Sequence, residues 1–221
     1  MNKTYPLLTI LAAASRAAKI NGDYIKFPVV EIRDNDDKVL RQARETNRFI
    51  VAQLLESQEN ILDEDYSDAQ VFRTFIQGLS LKILQKGSLS PFEHKLYQIA
   101  DLEEVSADSV AMLAYTPYMY KQYEEKDYAE TKRLYAANSH IGNINEKITT
   151  KVEVTKVVRS IQFGCFFIEG VTDANNKVFF SHKNQLEMRK IYCIEGKVKA
   201  HKPDYLTQLN YVKLRQAIDN K

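Results

Sequence analysis

Two lysines, Lys197 and Lys199, alternate with Val198 and Ala200 in the run Glu195-Gly196-Lys197-Val198-Lys199-Ala200-His201, and a group of rings (Phe163, Phe166, Phe167, Phe179, Phe180) lies shortly before it. Ammonium groups neutralise phosphates, and a ring face stacks on a base of any identity for roughly 1–3 kcal/mol. Lysines and rings interleaved on strands are therefore the chemistry that holds a single-stranded nucleic acid. On an extended chain, alternation puts Tyr192, Ile194, Val198 and Ala200 on an apolar face and Cys193, Glu195, Lys197, Lys199 and His201 on the other. Lys197 and Lys199 then point outward, with His201 at the strand end. Phe167, Phe179 and Tyr211 fall out of phase with the inward residues of their strands and are the candidate stacking rings; Phe166 and Phe180 are assigned to the core. Lys151, Lys156, Arg159, Lys177 and Lys213, with Lys183 and Lys202, extend the cationic track along rim and loops. Plain barrel packing is the competing reading for each ring, and exposed lysines occur on any domain that faces water.

Other chemistries find little support. The seven glycines form no Gly-rich cluster before a helix, so a phosphate loop is not expected. His94, His140, His182 and His201 have no metal-ligand spacing with one another or with cysteine. Asp63-Glu64-Asp65 and Glu103-Glu104 read as caps and solvated charge. No serine, cysteine or lysine nucleophile has a neighbouring base. The expectation is a non-enzyme without metal or cofactor.

The elements that must position the lysines and rings begin at a change of period. From Lys147 onward it becomes two: Ile148, Thr150, Val152 and Val154 alternate with Lys147, Thr149, Lys151 and Glu153. A turn near 159–164 leads to strands over 165–171 and 178–181, joined by the hairpin turn Asp173-Ala174-Asn175-Asn176. A linker over 183–189 precedes strands over 190–201 and 207–214. Five strands with a linker between the third and fourth fit an OB-type barrel.

The preceding 138 residues read as mainly helical. Helices are predicted over 5–19, over 38–60 after caps at Asp34-Asn35-Asp36-Asp37, and over 70–85, with Asp65 to Asp68 as a polar break. Tyr24 to Arg33 reads as an irregular or edge strand because of Pro28. Ser90-Pro91-Phe92-Glu93 is a capping box with proline at the first helical position. Ser106 caps a short helix, Pro117 interrupts it, and a tyrosine-rich helix follows over 118–137. Its rings could stack on bases, or pack an amphipathic helix or a subunit contact with their hydroxyls at the solvent edge. Arg41, Arg44 and Arg48, at i, i+3 and i+7 of the second helix, could clamp phosphates or form a solvated face paired with Glu45. The fold class expected is α+β: a helical domain over 1–138 that oligomerises or contacts a partner, then an OB-like domain over 139–221.

Charge follows the same division. Residues 1–138 carry 17 Lys+Arg against 21 Asp+Glu, and residues 139–221 carry 14 against 8. The basic half is the strand-rich half, which suits a polyanionic partner. Cys165 and Cys193 are 28 positions apart, with no second pair to complete a zinc site, and read as buried thiols of a reducing compartment. The apolar run Leu7 to Ala14 is short and precedes its charges, so neither a signal peptide nor a membrane span is expected, and the location expected is cytoplasmic.

Several phrases of the C-terminal part resemble a known type of domain. They are Ser139-His140-Ile141-Gly142 with Glu146-Lys147, Phe163-Gly164, Asp173 with Asn176 and the strand to Ser181, Gly196 to His201, and Thr207-Gln208-Leu209 with Lys213. In this order they resemble the C-terminal OB-like domain of bacteriophage-encoded single-stranded-DNA-binding and replication-accessory proteins. Phe75 to Leu84 followed by Gly87-Ser88-Leu89-Ser90 resembles the helical segment that precedes such barrels. The chain departs from them in having Phe179-Phe180 where they usually carry tryptophan, Leu206-Thr207-Gln208 where they have Gln-Thr, and Asp219-Asn220-Lys221 in place of an acidic tail. The resemblance implies single-stranded nucleic acid as ligand, DNA ahead of RNA, in phage replication, recombination or transcription. It implies a phage polymerase or helicase as protein partner, a homo-oligomer, and a location in the host cytoplasm. A narrower form is a cofactor that brings a phage RNA polymerase to single-stranded promoter DNA. The alternative is a non-catalytic scaffold whose barrel or tyrosine-rich helix binds protein.

Overall fold

The computed structural model describes residues 3–33, 39–57 and 60–215. The chain divides into two compact units, Met1–Gln122 and Tyr123–Lys221, and the division falls inside a helix.

In the first unit, strand β1 (Thr4–Pro6) leads into α1 (Leu7–Asn21), which stops where Gly22 takes up a left-handed conformation at φ 68°. The alanines Ala12, Ala13, Ala14 and Ala17 are fully buried, and their small side chains let α2 (Asn47–Ser57) and α3 (Asp63–Lys86) pack against α1. Asp65 and Asp68 form no break: both lie in the first turns of α3, where an N-terminus favours carboxylates. Lys19, in the last turn of α1, reaches Glu64, Asp65 and Asp68 at 3.2, 2.8 and 2.9 Å. Burial works against its charge, but the hydrogen bonds with Asp65, Asp68 and Glu64 outweigh it and raise its pKa.

The long second helix does not form as expected. Residues 39–41 pair as strand β3 (Val39–Arg41) with β2 (Ile32–Arg33), Val29 and Arg44 make an isolated bridge, and α2 starts only at Asn47. The buried amide of Asn47 decides this. Its Oδ1 accepts from Asn21 Nδ2 and from the Ile25 backbone, tying the helix start to the end of α1. Arg41, Arg44 and Arg48 therefore share no helix face, and Arg44 donates to the Asn21 carbonyl. The expected caps at 34–37 lie outside the described residues.

The capping box is present: Glu93 N–H donates to Ser90 Oγ, and the Ser90 N–H donates to the Glu93 carboxylate, opening α4 (Pro91–Ile99). Strand β4 (Glu104–Ser106) pairs antiparallel with β1. After α5 (Val110–Leu113), Pro117 falls in the first turn of α6 (Thr116–Tyr135). Within this unit Tyr115, Tyr118 and Tyr120 pack on Tyr24, Phe72, Phe75 and Phe92, so these rings serve the core of the helices. Among the described residues no helix is long and apolar enough to cross a membrane.

The second unit is a closed barrel of β5 (Lys147–Ser160), β6 (Cys165–Thr172), β7 (Lys177–His182), β8 (Ile191–Lys202) and β9 (Leu206–Leu214). The order around it is β5-β6-β7-β9-β8, closed by β5 against β8; all pairs are antiparallel except β7 with β9. That is the OB-like arrangement, and the fold class is α+β, a helical N-terminal region followed by a five-stranded mixed barrel. Val152, Val154, Ile168, Val178, Phe180, Ile194, Val198 and Leu209 fill its interior. Phe166 packs against that core and Phe180 is 1% exposed, as strand phase requires. Gly170 sits where a Cβ would come within 2.4 Å of Val152, allowing β6 to cross β5 closely. The segment after α6 belongs to the barrel: Ser139 accepts from Asn176 Nδ2, and the Ile141 N–H donates to Thr207 Oγ1. Cys165 and Cys193 are free and half-buried rather than buried.

Candidate nucleic-acid interface

Alternation on β6 and β7 turns Ile168, Val178 and Phe180 inward and leaves Phe167 and Phe179 on the outer face. Their centroids are 5.7 Å apart, with planes tilted by 40°. The loop from β5 to β6 adds a third ring. Gly164, at φ 58°, closes a tight turn that leaves Phe163 65% exposed, with its centroid 6.0 Å from Phe167. Phe163, Phe167 and Phe179 thus form a continuous ladder of rings, and exposed Val158 lies opposite Phe167 on β5. Lys156 flanks the face in a 3.6 Å ion pair with Glu169, and Arg159 is exposed at the end of β5.

Strand phase points to Phe167 and Phe179 but not to Phe163. The turn lies outside the period-two pattern, so alternation says nothing about it. The signal was the Phe163-Gly164 pair at the loop joining the first and second barrel strands, one of the loops that OB barrels use for ligands.

The predicted lysine pair is elsewhere. Lys197 and Lys199 are exposed on β8, whose neighbours are β5 and β9, so β8 does not adjoin the strands that carry the ring ladder. Across the register, Lys147 faces Lys197 and Glu195 faces Lys213. Lys151 is exposed on the same side of β5, opposite Cys193. Glu195, with its side chain 13% exposed, pairs with Lys147 at 2.6 Å and with Arg215. Those two partners lower its pKa to about 2. Tyr211 also belongs here: it is 81% exposed and takes φ 53° where the β8 and β9 register shifts.

Two predicted positions do other work. Lys177 is only 8% exposed, with its ammonium 5.8 Å over the Tyr205 ring, so it is not part of an exposed track. His201 is exposed, yet its Nε2 lies 3.0 Å from the Gly142 carbonyl, and its ring stacks on His140 with centroids 4.2 Å apart and planes 7° apart. Burial, then His201 and Lys177, lower the His140 pKa. The 60 intervening positions hide the pair from any spacing rule.

Glu153 fixes the second part of α6 to the barrel within this unit. It accepts from Lys132 at 2.5 Å and from the Tyr128 hydroxyl, and the Arg189 guanidinium lies 4.7 Å over the Tyr128 ring. Burial tends to raise the Glu153 pKa, but these two donors lower it. Among the described residues, no three His, Cys, Asp or Glu side chains come together to hold a metal ion.

Comparison with protein-family models, with curated proteins and with solved structures finds no match to the chain in any of the three.

Proposed function

We propose that the barrel binds single-stranded nucleic acid, DNA ahead of RNA, with bases stacking on the Phe163–Phe167–Phe179 ladder. The observation that carries this reading is the placement of three linked rings on the outer side of the second and third barrel strands and the adjoining loop. OB barrels bind oligonucleotides on that face. A stack of rings holds any base through its π-face, so the binding is tolerant of sequence, and duplex DNA, whose bases are already stacked, gains nothing from it. Such an activity suits a phage-type single-stranded-DNA-binding protein that holds unwound DNA during replication, recombination or transcription, including delivery of a polymerase to melted promoter DNA.

The test is a titration with fluorescent oligonucleotides of single-stranded DNA, duplex DNA and RNA side by side. Single strands should bind more tightly than duplex, with affinity falling as salt rises. Equal affinity for duplex, or binding of none of the three, overturns the proposal.

A protein-contact reading is favoured by one observation in the helical unit, where Phe27, Val30 and Ile32 are 71%, 77% and 48% exposed within a single short stretch. A cluster of this kind suits a partner or a second copy of the chain. Light scattering of the wild type and of Phe27→Ser with Val30→Ser separates the two: a monomer at every concentration removes self-association.

A further inference from the structure

The outer face of β5, β8 and β9 carries a concentration of charge that the ring ladder does not use. Lys147, Lys151, Lys197, Lys199, Lys213 and Arg215 gather there around one carboxylate, Glu195. Glu195 is committed to Lys147 and Arg215, and no ion pair joins Lys151, Lys197, Lys199 or Lys213 among the described residues. Lys147, directly across from Lys197, already takes up Glu195 at 2.6 Å, so Lys197 is left beside a like charge with no carboxylate paired to it among the described residues.

A second, independent feature points the same way. Between Glu195 and Lys197 on β8, the partner strand runs from Lys213 to Asn210, so β9 carries an extra residue. At such a bulge the left-handed position ordinarily belongs to glycine. Here it is Tyr211, at φ 53°, whose ring is 81% exposed. A costly backbone geometry that holds a bare ring in water beside unpaired lysines is the composition of a strand-tracking surface: cations for phosphates and a ring for a base.

Resting on the nucleic-acid reading above, we propose that β5, β8 and β9 form a second contact surface for the same single strand, in which Lys197, Lys199 and Lys213 neutralise phosphates and Tyr211 stacks one base. The barrel then holds a strand on two faces, and its affinity depends on strand length. A short oligonucleotide fills the ring ladder alone, whereas a longer one reaches both surfaces.

The test uses the full chain and two oligothymidylates, one of about 6 and one of about 30 nucleotides, chosen to bracket the usual range for an OB barrel. Lys197→Ala with Lys199→Ala should leave the short oligomer bound as in the wild type and weaken the long one about tenfold or more. The salt dependence for the long oligomer should fall by about 1.4 in slope, the value for two phosphate contacts on a single strand. Tyr211→Gly, which suits the bulge and removes only the ring, should weaken the long oligomer alone. Unchanged affinity for the long oligomer in both variants overturns the second surface and leaves the ladder intact. Equal losses for short and long oligomers also overturn it, because the lysines would then belong to one continuous site. If the wild type binds neither oligomer, the nucleic-acid reading falls with it. Preference of the lysine face for an acidic peptide, with no dependence on oligomer length, would assign it to a protein instead.

Discussion

Phe167 is the middle ring of the ladder, 6.0 Å from Phe163 and 5.7 Å from Phe179, so its removal breaks the stack rather than shortening it. The Phe167→Ala variant should lose the stacking of at least one base, about 1–3 kcal/mol, or a rise of about 5- to 150-fold in Kd for an oligothymidylate. The cost to the fold is smaller. Phe167 faces outward and contributes as a neighbour of Phe179, Ser181 and Val158 on adjoining strands, where such pairs are worth roughly 0.2–1 kcal/mol each. Binding and stability therefore separate in this variant. The assay is fluorescence anisotropy with one labelled oligothymidylate at one fixed salt concentration, beside a thermal melt of the same sample. A Kd within twofold of wild type for a short oligothymidylate of about 6 nucleotides, in a folded variant, refutes the stacking argument. Phe179→Ala added to Phe167→Ala should cost less than the sum of the two singles, because touching rings do not act independently.

Removal of an inward ring should behave in the opposite way. Phe180→Ala, at a side chain 1% exposed in the barrel core, should cost about 3–5 kcal/mol of stability in denaturant unfolding. Gly170→Ala should also destabilise the barrel, because the new methyl group meets Val152 at 2.4 Å and the Glu153 carbonyl at 2.7 Å; a melting temperature equal to wild type would contradict the close strand crossing. Ser90→Ala removes a helix cap and should cost about 0.5–2 kcal/mol, measured by urea titration. The lowered pKa of His140 gives a sign for pH. The folded state holds this ring neutral beside His201 and Lys177, so its contribution is present above the ordinary histidine value of about 6.5 and is lost as pH falls through the lowered folded value. Wild type should lose more melting temperature across that interval than His140→Gln, and parallel curves would contradict the stacked-pair account.

Much of the local structure was legible because it follows from short-range rules. The switch to period two at Lys147, the hairpin turn at Asp173 to Asn176 and the Ser90–Glu93 box each depend on residues a few positions apart. The second helix departs from its sequence pattern for the complementary reason. Its apolar spacing from Leu40 onward is helical in period, but Val29 and Arg44 bond across a loop, and Asn47 is tied to Asn21 and Ile25, contacts that no window along the chain contains. Asp65 and Asp68 looked like a break because acidic residues are common in turns, whereas Lys19 on another helix makes them part of one.

The sequence by itself determined which side chains of each barrel strand face out, because strand period assigns Phe167 and Phe179 opposite to Phe180, and Lys197 and Lys199 opposite to Val198. Only the tertiary structure decided which outward residues share a face. Barrel closure puts β6 beside β7 and β8 between β5 and β9, so rings and lysines that read as one track along the chain lie on different strands, with β9 between β7 and β8. The same closure buries Lys177 and brings His140 onto His201. Alternation acts between neighbours in sequence, whereas strand order is set by pairings such as Val178 with Thr207 and Lys147 with Lys197, 29 and 50 residues apart, whose energy depends on the whole barrel.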